Sequence, residues 1–434
     1  MKFIIKRDGR RVAFDRKKIE EAILKSFFDV DGEVSEFAET KAKNIADYIE
    51  SQVETEELTV ENIQDLVENG LMSTKRKDVA KSYIKYRYDH EKERNRNSKL
   101  MRIMKEKIEA TNVQNQNANV DESSFGGRVG EASDVFLKQY ALDYCMSDMA
   151  RDNHLNNEIY IHDLASYAIG NHNCLSVPFD HLLAEGFKTR QVDIRPANSI
   201  GTALQLVAVI FQLQSLMQFG GVSATHLDWT MVPYVRKSFY KHFLDGCKYC
   251  EDCEPINIPN IPIAELSIDA DWYDAPINKK AYKYAMDMTQ KELKQGVEAL
   301  YHNLNSLQSR SGNQLPFTSL NYGTCTLEEG RIVIKALLEG SIKGVGKFHR
   351  TPIFPCSIFK LKKGINRHPG DPNYDLFQLA LKSTAQRLYP NYANVDWSGN
   401  KGYDPKDPRT EFSTMGKRKL SSCKTSLTSL EGVA

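Results

Sequence analysis

The chain has 434 residues and a formal net charge of +1, because 58 Lys and Arg nearly balance 57 Asp and Glu. This length allows a large core and more than one domain. The near-neutral charge argues against a protein devoted to nucleic-acid backbones or anionic membranes. The N-terminus is too polar for a signal peptide, and the most apolar segment, residues 204–217, is too short to span a bilayer. We therefore expect a cytoplasmic protein without a membrane or nucleic-acid partner.

The first 97 residues predict a small unit of two strands and four helices. Residues 3–5 and 11–14 flank a glycine turn, which is a hairpin signal. Asp15 and Thr59 precede apolar residues at helical spacing, so their side chains can cap the first and third helices.

Six basic side chains of this unit are candidates for binding a polyphosphate. They are Lys6, Arg7, Arg10 and Lys17 around the glycine turn, and Lys81 and Arg87 on the last helix. Clustered cations beside exposed backbone amides suit phosphate oxygens. From the residues alone, a solvated charged face remains an equal alternative.

Three ordered segments of this unit, "KRDGRRVAFDRKKIEEAI", "VENIQDLVENGLM" and "VAKSYIKYR", resemble the ATP-cone, a nucleotide-sensing domain found at the front of many ribonucleotide reductases. The resemblance implies that ATP and dATP bind here as allosteric effectors, ATP keeping the enzyme active and dATP turning it off. It also implies that Lys6, Arg7 and Lys81 contact phosphate. A repressor with an ATP-cone is the competing class, and it should continue into a zinc ribbon or DNA-binding module.

The segment after this unit carries weaker signals. Gly126, Gly127 and Gly130 could cradle a phosphate, but the segment lacks the lysine and serine of a P-loop. Ser133 is predicted to cap a helix that continues to residue 155. Residues 159–161 predict a short strand.

Two cysteines stand in distinctive surroundings. Cys356 follows a proline in the apolar run "TPIFPCSIFKL", which predicts a buried strand, where a thiol is usually just a small hydrophobe. Cys174 lies in "GNHNCLSVPF", where His172 and Asn173 can orient or tune a thiol. His172 could instead be a metal ligand or a core histidine.

The other cysteines give no clear site. Cys247, Cys250 and Cys253 form a C-x2-C-x2-C string, but a tetrahedral zinc site needs a fourth ligand. We favour a surface loop and expect no metal there. Cys145 and Cys325 lie in apolar segments and are expected in the core.

Six segments from residue 120 to 416 resemble the anaerobic ribonucleoside-triphosphate reductases, which are glycyl-radical enzymes. They are "SSFGGRVGEAS", "IYIHDLASYAIGNHNCLSVPF", "GGVSATHLD", "RSGNQLPFTSLNYGT", "TPIFPCSIFKLKKGIN" and "FSTMG". The implied fold class is α/β, with a small α+β ATP-cone domain over 1–97 followed by the N-terminal half of a ten-stranded α/β barrel over 98–416.

The resemblance also implies chemistry for the two cysteines. It places Cys356 on a loop at the centre of the barrel, where it becomes a thiyl radical that takes the 3′ hydrogen of a ribonucleotide. It places Cys174 on the opposite face of the sugar, where it supplies a hydrogen as the 2′ hydroxyl leaves as water. The product would serve deoxyribonucleotide synthesis for DNA replication.

The chain departs from this family after "FSTMG". There the family continues with a cysteine, an arginine and further strands, whereas residues 417–434 read "KRKLSSCKTSLTSLEGVA" and are predicted to be an aberrant tail. No "RxCGY" motif, which holds the radical glycine, occurs in the sequence. The family's zinc-binding cysteine pairs also belong to the missing part.

The implied partners are ribonucleoside triphosphates, a radical-SAM activase, a second copy in a homodimer, and a second chain carrying the C-terminal half. One alternative is a truncated, inactive chain that only binds ATP or dATP. Another is a glycyl-radical enzyme of the formate acetyltransferase type, which has no use for a dATP sensor.

Overall fold

The computed structural model describes residues 3–421 except for 8, 56–57, 97, 110–123, 170–172, 219, 250–261, 272, 274–277, 311–313, 398–401 and 416. The chain divides into two compact units, Met1–Glu106 and Lys107–Ala434. Within the described ranges, no helix is long and apolar enough to cross a membrane.

The amino-terminal unit contains the predicted hairpin and four helices. Strands β1 (Phe3–Ile5) and β2 (Arg11–Ala13) pair antiparallel, with Ile4 opposite Val12. The helices are α1 (Arg16–Asp31), α2 (Glu36–Thr55), α3 (Val60–Met72) and α4 (Lys77–Arg96), followed by α5 (Lys99–Ile108).

Local sequence signals explain where these helices begin. The Asp15 carboxylate accepts a hydrogen bond of 3.1 Å from the Lys17 amide and caps α1. Thr59 caps α3, and the Asn62 side chain bonds back to the Thr59 amide at 3.0 Å, which completes a capping box. The helices enclose a core that includes the fully buried Phe27 and Leu71.

The larger unit is built from helices around a parallel sheet. The helices are α6 (Phe125–Tyr140), α7 (Asp148–Leu155), α8 (Leu164–Tyr167), α9 (Phe179–Glu185), α10 (Ile200–Ser215), α11 (Leu227–Tyr249), α12 (Lys279–Leu304), α13 (Glu328–Lys343) and α14 (Tyr374–Arg387). The strands are β3 (Leu175–Ser176), β4 (Phe187–Lys188), β5 (Asp193–Ile194), β6 (Val222–Ala224), β7 (Thr318–Tyr322), β8 (Cys356–Leu361), β9 (Asn391–Asn394), β10 (Ser413–Met415) and β11 (Lys417–Ser421).

Five of these strands form one parallel sheet in the order β3-β6-β7-β8-β9. One face packs on the helices, where Phe359 of β8 contacts Tyr322 and Phe377 at ring distances of 6.1 and 6.2 Å. The predicted α/β class, preceded by a small α+β unit, is confirmed. The ten-stranded barrel stays a prediction.

Three local predictions for residues 125–161 are wrong. Helix α6 begins at Phe125 because the Ser124 hydroxyl accepts a hydrogen bond of 3.0 Å from the Gly127 amide and caps the helix well before Ser133. The glycine cluster therefore lies inside a helix rather than in a phosphate-binding loop. A π-helical turn at Ala141–Cys145 interrupts the predicted continuous helix, and the described residues 159–161 form no strand.

Candidate functional site

Two of the six predicted phosphate-binding cations meet at one carboxylate in the amino-terminal unit. Arg7 Nε donates to Glu61 Oε1, and Arg87 Nη2 donates to Glu61 Oε2 at 3.3 Å. Arg7 also donates to the Gln64 side-chain oxygen at 2.9 Å. The hydrogen bond from Arg7 is the main cause that lowers the pKa of Glu61, so this residue is an anion at neutral pH.

The other four cations are exposed and differ in their placement. Lys6 and Arg10 form the hairpin turn, where the Lys6 amide donates to the Arg10 carbonyl at 2.9 Å. Lys17 lies in the first turn of α1. Lys81 and Arg87 share α4, but six residues place them about 120° apart around a helix, so they do not share a face.

The carboxylates of α3 were missed by the sequence analysis. Glu61, Asp65 and Glu68 all contact Arg87, the last two at 2.6 and 3.1 Å. Their helical spacing of four and three residues was the available signal that they share one face.

The predicted catalytic Cys356 lies on the face of the parallel sheet opposite the helix-packed face, and we call it the inner face. Ser176, Ser223, Ser319 and Cys356 are partners in register on β3, β6, β7 and β8, so they form a row across the sheet. Cys174 directly precedes β3, two residues before Ser176. The sheet therefore aligns Cys356 with a row of serines, and Cys174 lies close in the chain to the other end of that row.

Cys356 is the first residue of β8 and is 7% exposed. Its predicted buried strand is confirmed, but its placement on a loop is wrong, because the run pairs with strands on both sides. The Sγ atom lies 3.7 Å from the Tyr389 hydroxyl. Burial raises the pKa of the Cys356 thiol, and this contact offsets the shift only in part, so the thiol keeps its hydrogen at neutral pH.

Cys174 directly precedes β3, and the backbone of Gly221 packs against its thiol. Its Sγ accepts from the Gly221 amide at 3.3 Å and contacts the Asn173 side-chain oxygen at 3.4 Å. The buried Gln218 amide donates to the Gly221 carbonyl at 2.8 Å and to the Asn173 carbonyl at 3.3 Å. A Cβ on Gly220 would lie 1.8 Å from the Asn173 carbonyl oxygen, so only glycine fits there.

The two thiols are not brought into contact along the sheet. Strands β6 and β7 lie between β3 and β8. Three strand spacings of about 4.8 Å each therefore separate β3 from β8 by about 14 Å. Ser223 and Ser319 lie between β3 and β8, and the Ser223 hydroxyl donates to the Thr414 carbonyl at 3.4 Å. The Ser319 hydroxyl is buried and has no hydrogen-bond partner within the described part of the chain.

A segment near the end of the described chain crosses the inner face. The Asn321 side chain donates to the Thr414 carbonyl at 2.9 Å and accepts from the Thr414 amide at 3.0 Å. Glu411 accepts from Lys360 at 3.2 Å and from Lys362 at 3.1 Å. These anchors set residues 411–415 against the sheet, and no local sequence signal indicated them.

Arg310 begins the segment "RSGNQLPFTSLNYGT" and lines a cavity of about 380 Å³ with Asp134, Asp163 and Gln314. Burial lowers the pKa of Arg310, and the nearby Asp163 and Cys174 oppose that shift. A cavity of this size with polar walls can accept a small polar ligand.

The remaining cysteines divide between surface and core. Cys145 is exposed at the end of the π-helical turn, so its predicted core position is wrong. Cys325 is buried as predicted. Cys247 lies on α11 and packs against the core, so the predicted surface loop is wrong at this residue. His172, Cys250, Cys253 and Cys423 lie outside the described residues. Among the residues that are described, no group of three His, Cys, Asp or Glu side chains could hold a metal ion.

Comparison with known proteins identifies two family matches in order along the chain. The ATP cone domain matches residues 2–92, and the anaerobic ribonucleoside-triphosphate reductase family matches residues 116–430. The chain resembles a solved anaerobic ribonucleotide reductase from Thermotoga maritima in complex with dATP and CTP at 14% identity and a TM-score of 0.43, covering 64% of this chain and 44% of that one.

Curated relatives match over nearly the whole chain. The anaerobic ribonucleoside-triphosphate reductase of Haemophilus influenzae is 31% identical over 397 residues, which is 91% of this chain and 52% of the relative. The enzyme of that name from Escherichia coli is 30% identical, over 91% of this chain and 51% of the relative. The chain thus spans about half the length of these relatives. With its family match covering most of its residues, the chain belongs to the anaerobic ribonucleoside-triphosphate reductase family.

Proposed function

We propose that this chain is the nucleotide-sensing and substrate-facing portion of an anaerobic ribonucleoside-triphosphate reductase, which reduces ribonucleotides to deoxyribonucleotides under ATP and dATP control. The observation that carries the proposal is the pair of ordered family matches, an ATP cone followed by the reductase. They coincide with two units that have different chemistry, one with surface cations and one with a thiol on a polar sheet face.

In the amino-terminal unit, Arg7 and Arg87 are proposed to bind the effector nucleotide together, whereas effector contacts by Lys6, Arg10, Lys17 and Lys81 remain predictions. The convergence of Arg7 and Arg87 on one anion supports this, because two guanidinium groups from separate elements can clamp phosphate oxygens in the same way. The domain limits at residues 97 and 416 remain predictions.

The inner face of the sheet is proposed to hold the ribose of the substrate. A buried hydroxyl without a partner, such as that of Ser319 beside Cys356, is satisfied when a ligand hydroxyl binds there. Cys174 is fixed in position by Gln218 and Gly221, as expected of a thiol that must deliver a hydrogen to a defined atom.

Two sequence positions are candidates for the thiol that takes the 3′ hydrogen. Cys356 is supported by its burial and its retained S–H bond on the inner face. The competitor is the position after Gly416, where the family has a cysteine and this chain has Lys417. The preceding residues 411–415 are anchored over the inner face, whereas Cys356 lies in a strand.

The unpaired electron, in this family, comes from a glycyl radical. We propose that a partner chain with the family's C-terminal half supplies it, together with the zinc-binding cysteines, and that a radical-SAM activase generates it. The assembly is further proposed to be a homodimer. The alternative function is an ATP- and dATP-binding fragment without chemistry.

Two measurements on the full chain test the proposal. Isothermal titration is expected to show binding of both ATP and dATP, and binding of neither would remove the sensing function. In an anaerobic reductase assay with the activase, turnover is expected only when a polypeptide covering the C-terminal half of the relatives is added. Turnover by this chain and the activase alone contradicts the need for a partner.

The cysteine assignments are tested in the same reconstituted assay. Cys174→Ser and Cys356→Ser are each expected to abolish turnover while ATP binding stays unchanged. Turnover by the Cys356→Ser variant would show that Cys356 is a core thiol and would favour the position after Gly416.

A further inference from the structure

We propose that Glu61 is an internal counter-anion that occupies a phosphate position of the effector site and lowers its affinity until a nucleotide displaces it. This inference rests on the proposed nucleotide-binding function of the amino-terminal unit. It makes Glu61 a residue that sets effector affinity, although it carries the same sign of charge as the ligand.

The geometry of Glu61 is that of a bound phosphate group. Its two oxygens are each contacted by a different guanidinium, Arg7 on Oε1 and Arg87 on Oε2 at 3.3 Å. Arg7 follows β1 and Arg87 lies on α4, so cations from two distant parts of the unit converge on one anion. Guanidinium groups bind carboxylate and phosphate oxygens with the same donor arrangement.

The charge balance shows why Glu61 must move. Arg87 also contacts Asp65 at 2.6 Å and Glu68 at 3.1 Å, so two guanidinium groups face three carboxylates. This cluster carries no positive surplus with which to attract a triphosphate. When Glu61 swings away, the charge of this cluster changes from −1 (two guanidinium groups and three carboxylates) to 0, and both guanidinium groups gain a free donor edge at the position that a phosphate would take.

The exposure of these side chains permits the exchange. The side chains of Arg7 and Glu61 are 37% and 49% exposed, so water can solvate the released carboxylate. Exposed ion pairs contribute little to stability, and a polyvalent anion can therefore outcompete one carboxylate. A buried pair would not exchange in this way.

The test is the substitution Glu61→Gln in the full chain, with ATP and dATP affinity measured by isothermal titration. We expect affinity to rise about three- to tenfold, because this is the change in the dissociation constant that corresponds to the free energy of one or two exposed ion pairs. Glu39→Gln is the matched control. Glu39 lies in the same unit, is 54% exposed and pairs with Lys43, so its removal should leave affinity unchanged.

Gln64→Glu supplies the opposite change, because Gln64 already accepts a hydrogen bond of 2.9 Å from Arg7. A second carboxylate there should weaken binding several-fold, and this variant decides the matter if Glu61→Gln does not fold. Unchanged or weaker binding by a folded Glu61→Gln variant overturns the inference, as does unchanged or tighter binding by Gln64→Glu. Failure of the unsubstituted chain to bind either nucleotide overturns the proposed function instead.

Discussion

Two parts of the molecule hold one carboxylate between two cations, and they differ in burial. Glu61 lies between Arg7 and Arg87, with 49% of its side chain exposed. Glu411 lies between Lys360 and Lys362, and its side chain is 1% exposed. We call each group of one carboxylate and two cations a triad. In the exposed triad, water or a ligand can take the place of the carboxylate, whereas in the buried triad no solvent is present to replace a lost partner. Burial, more than the pairing itself, separates the proposed binding site from the structural anchor.

The largest expected effect comes from breaking the buried triad. Glu411→Gln leaves the fully buried Lys360 without its counter-charge, so we expect the free energy of unfolding to fall by about 3–5 kcal/mol. Urea unfolding followed by tryptophan fluorescence reports the larger unit, because all three tryptophans, at 229, 272 and 397, lie after residue 106.

Glu339→Gln is the surface control for this measurement. Glu339 pairs with Lys294 and Lys335 at 3.4 and 4.0 Å and is 36% exposed, so its loss should change the unfolding free energy by less than about 0.5 kcal/mol. Similar small losses for both variants would remove the distinction between the buried and exposed triads.

The next largest effect concerns binding at the exposed triad. Arg7→Gln removes one of the two guanidinium groups that converge on Glu61, and ATP affinity should fall about tenfold to a hundredfold. Lys43→Gln removes one positive charge of the same unit from an exposed pair with Glu39 and should leave affinity unchanged. Equal losses in both variants would indicate a general charge effect rather than a site at Arg7.

The same contrast between buried and exposed groups predicts thiol reactivity. Burial raises the pKa of Cys356, so its thiolate fraction at a given pH is lower than that of an ordinary thiol and increases only at more alkaline pH. Alkylation followed by mass spectrometry should label the exposed Cys145 at least about tenfold faster than Cys356 at neutral pH. Equal rates at neutral pH would show that the inner face is open to the reagent.

The smallest expected effect is on the stability of the amino-terminal unit. Glu61→Gln should change its free energy of unfolding by less than about 1 kcal/mol, because exposed ion pairs contribute little. Thermal unfolding followed by circular dichroism checks this. A loss as large as that of Glu411→Gln would make Glu61 a structural anchor and remove the comparison between the two triads.

Much of the fold followed from residues that are close in sequence. The caps at Asp15 and Thr59 act on amides two and three residues away, so a short window contains the whole interaction. The buried strand at Cys356–Leu361 was visible in its apolar composition. Errors arose where two local signals competed, as when Ser124 rather than Ser133 capped α6.

The sequence by itself determined the family, through ordered motifs, and the helices and strands whose signals are local. Tertiary structure alone decided that Glu61 joins Arg7 and Arg87, which are 54 and 26 residues away. It also decided the row from Ser176 to Cys356, because strand register sets which residues are neighbours across a sheet. Local propensity depends on adjacent residues, whereas a site depends on distances that only packing fixes.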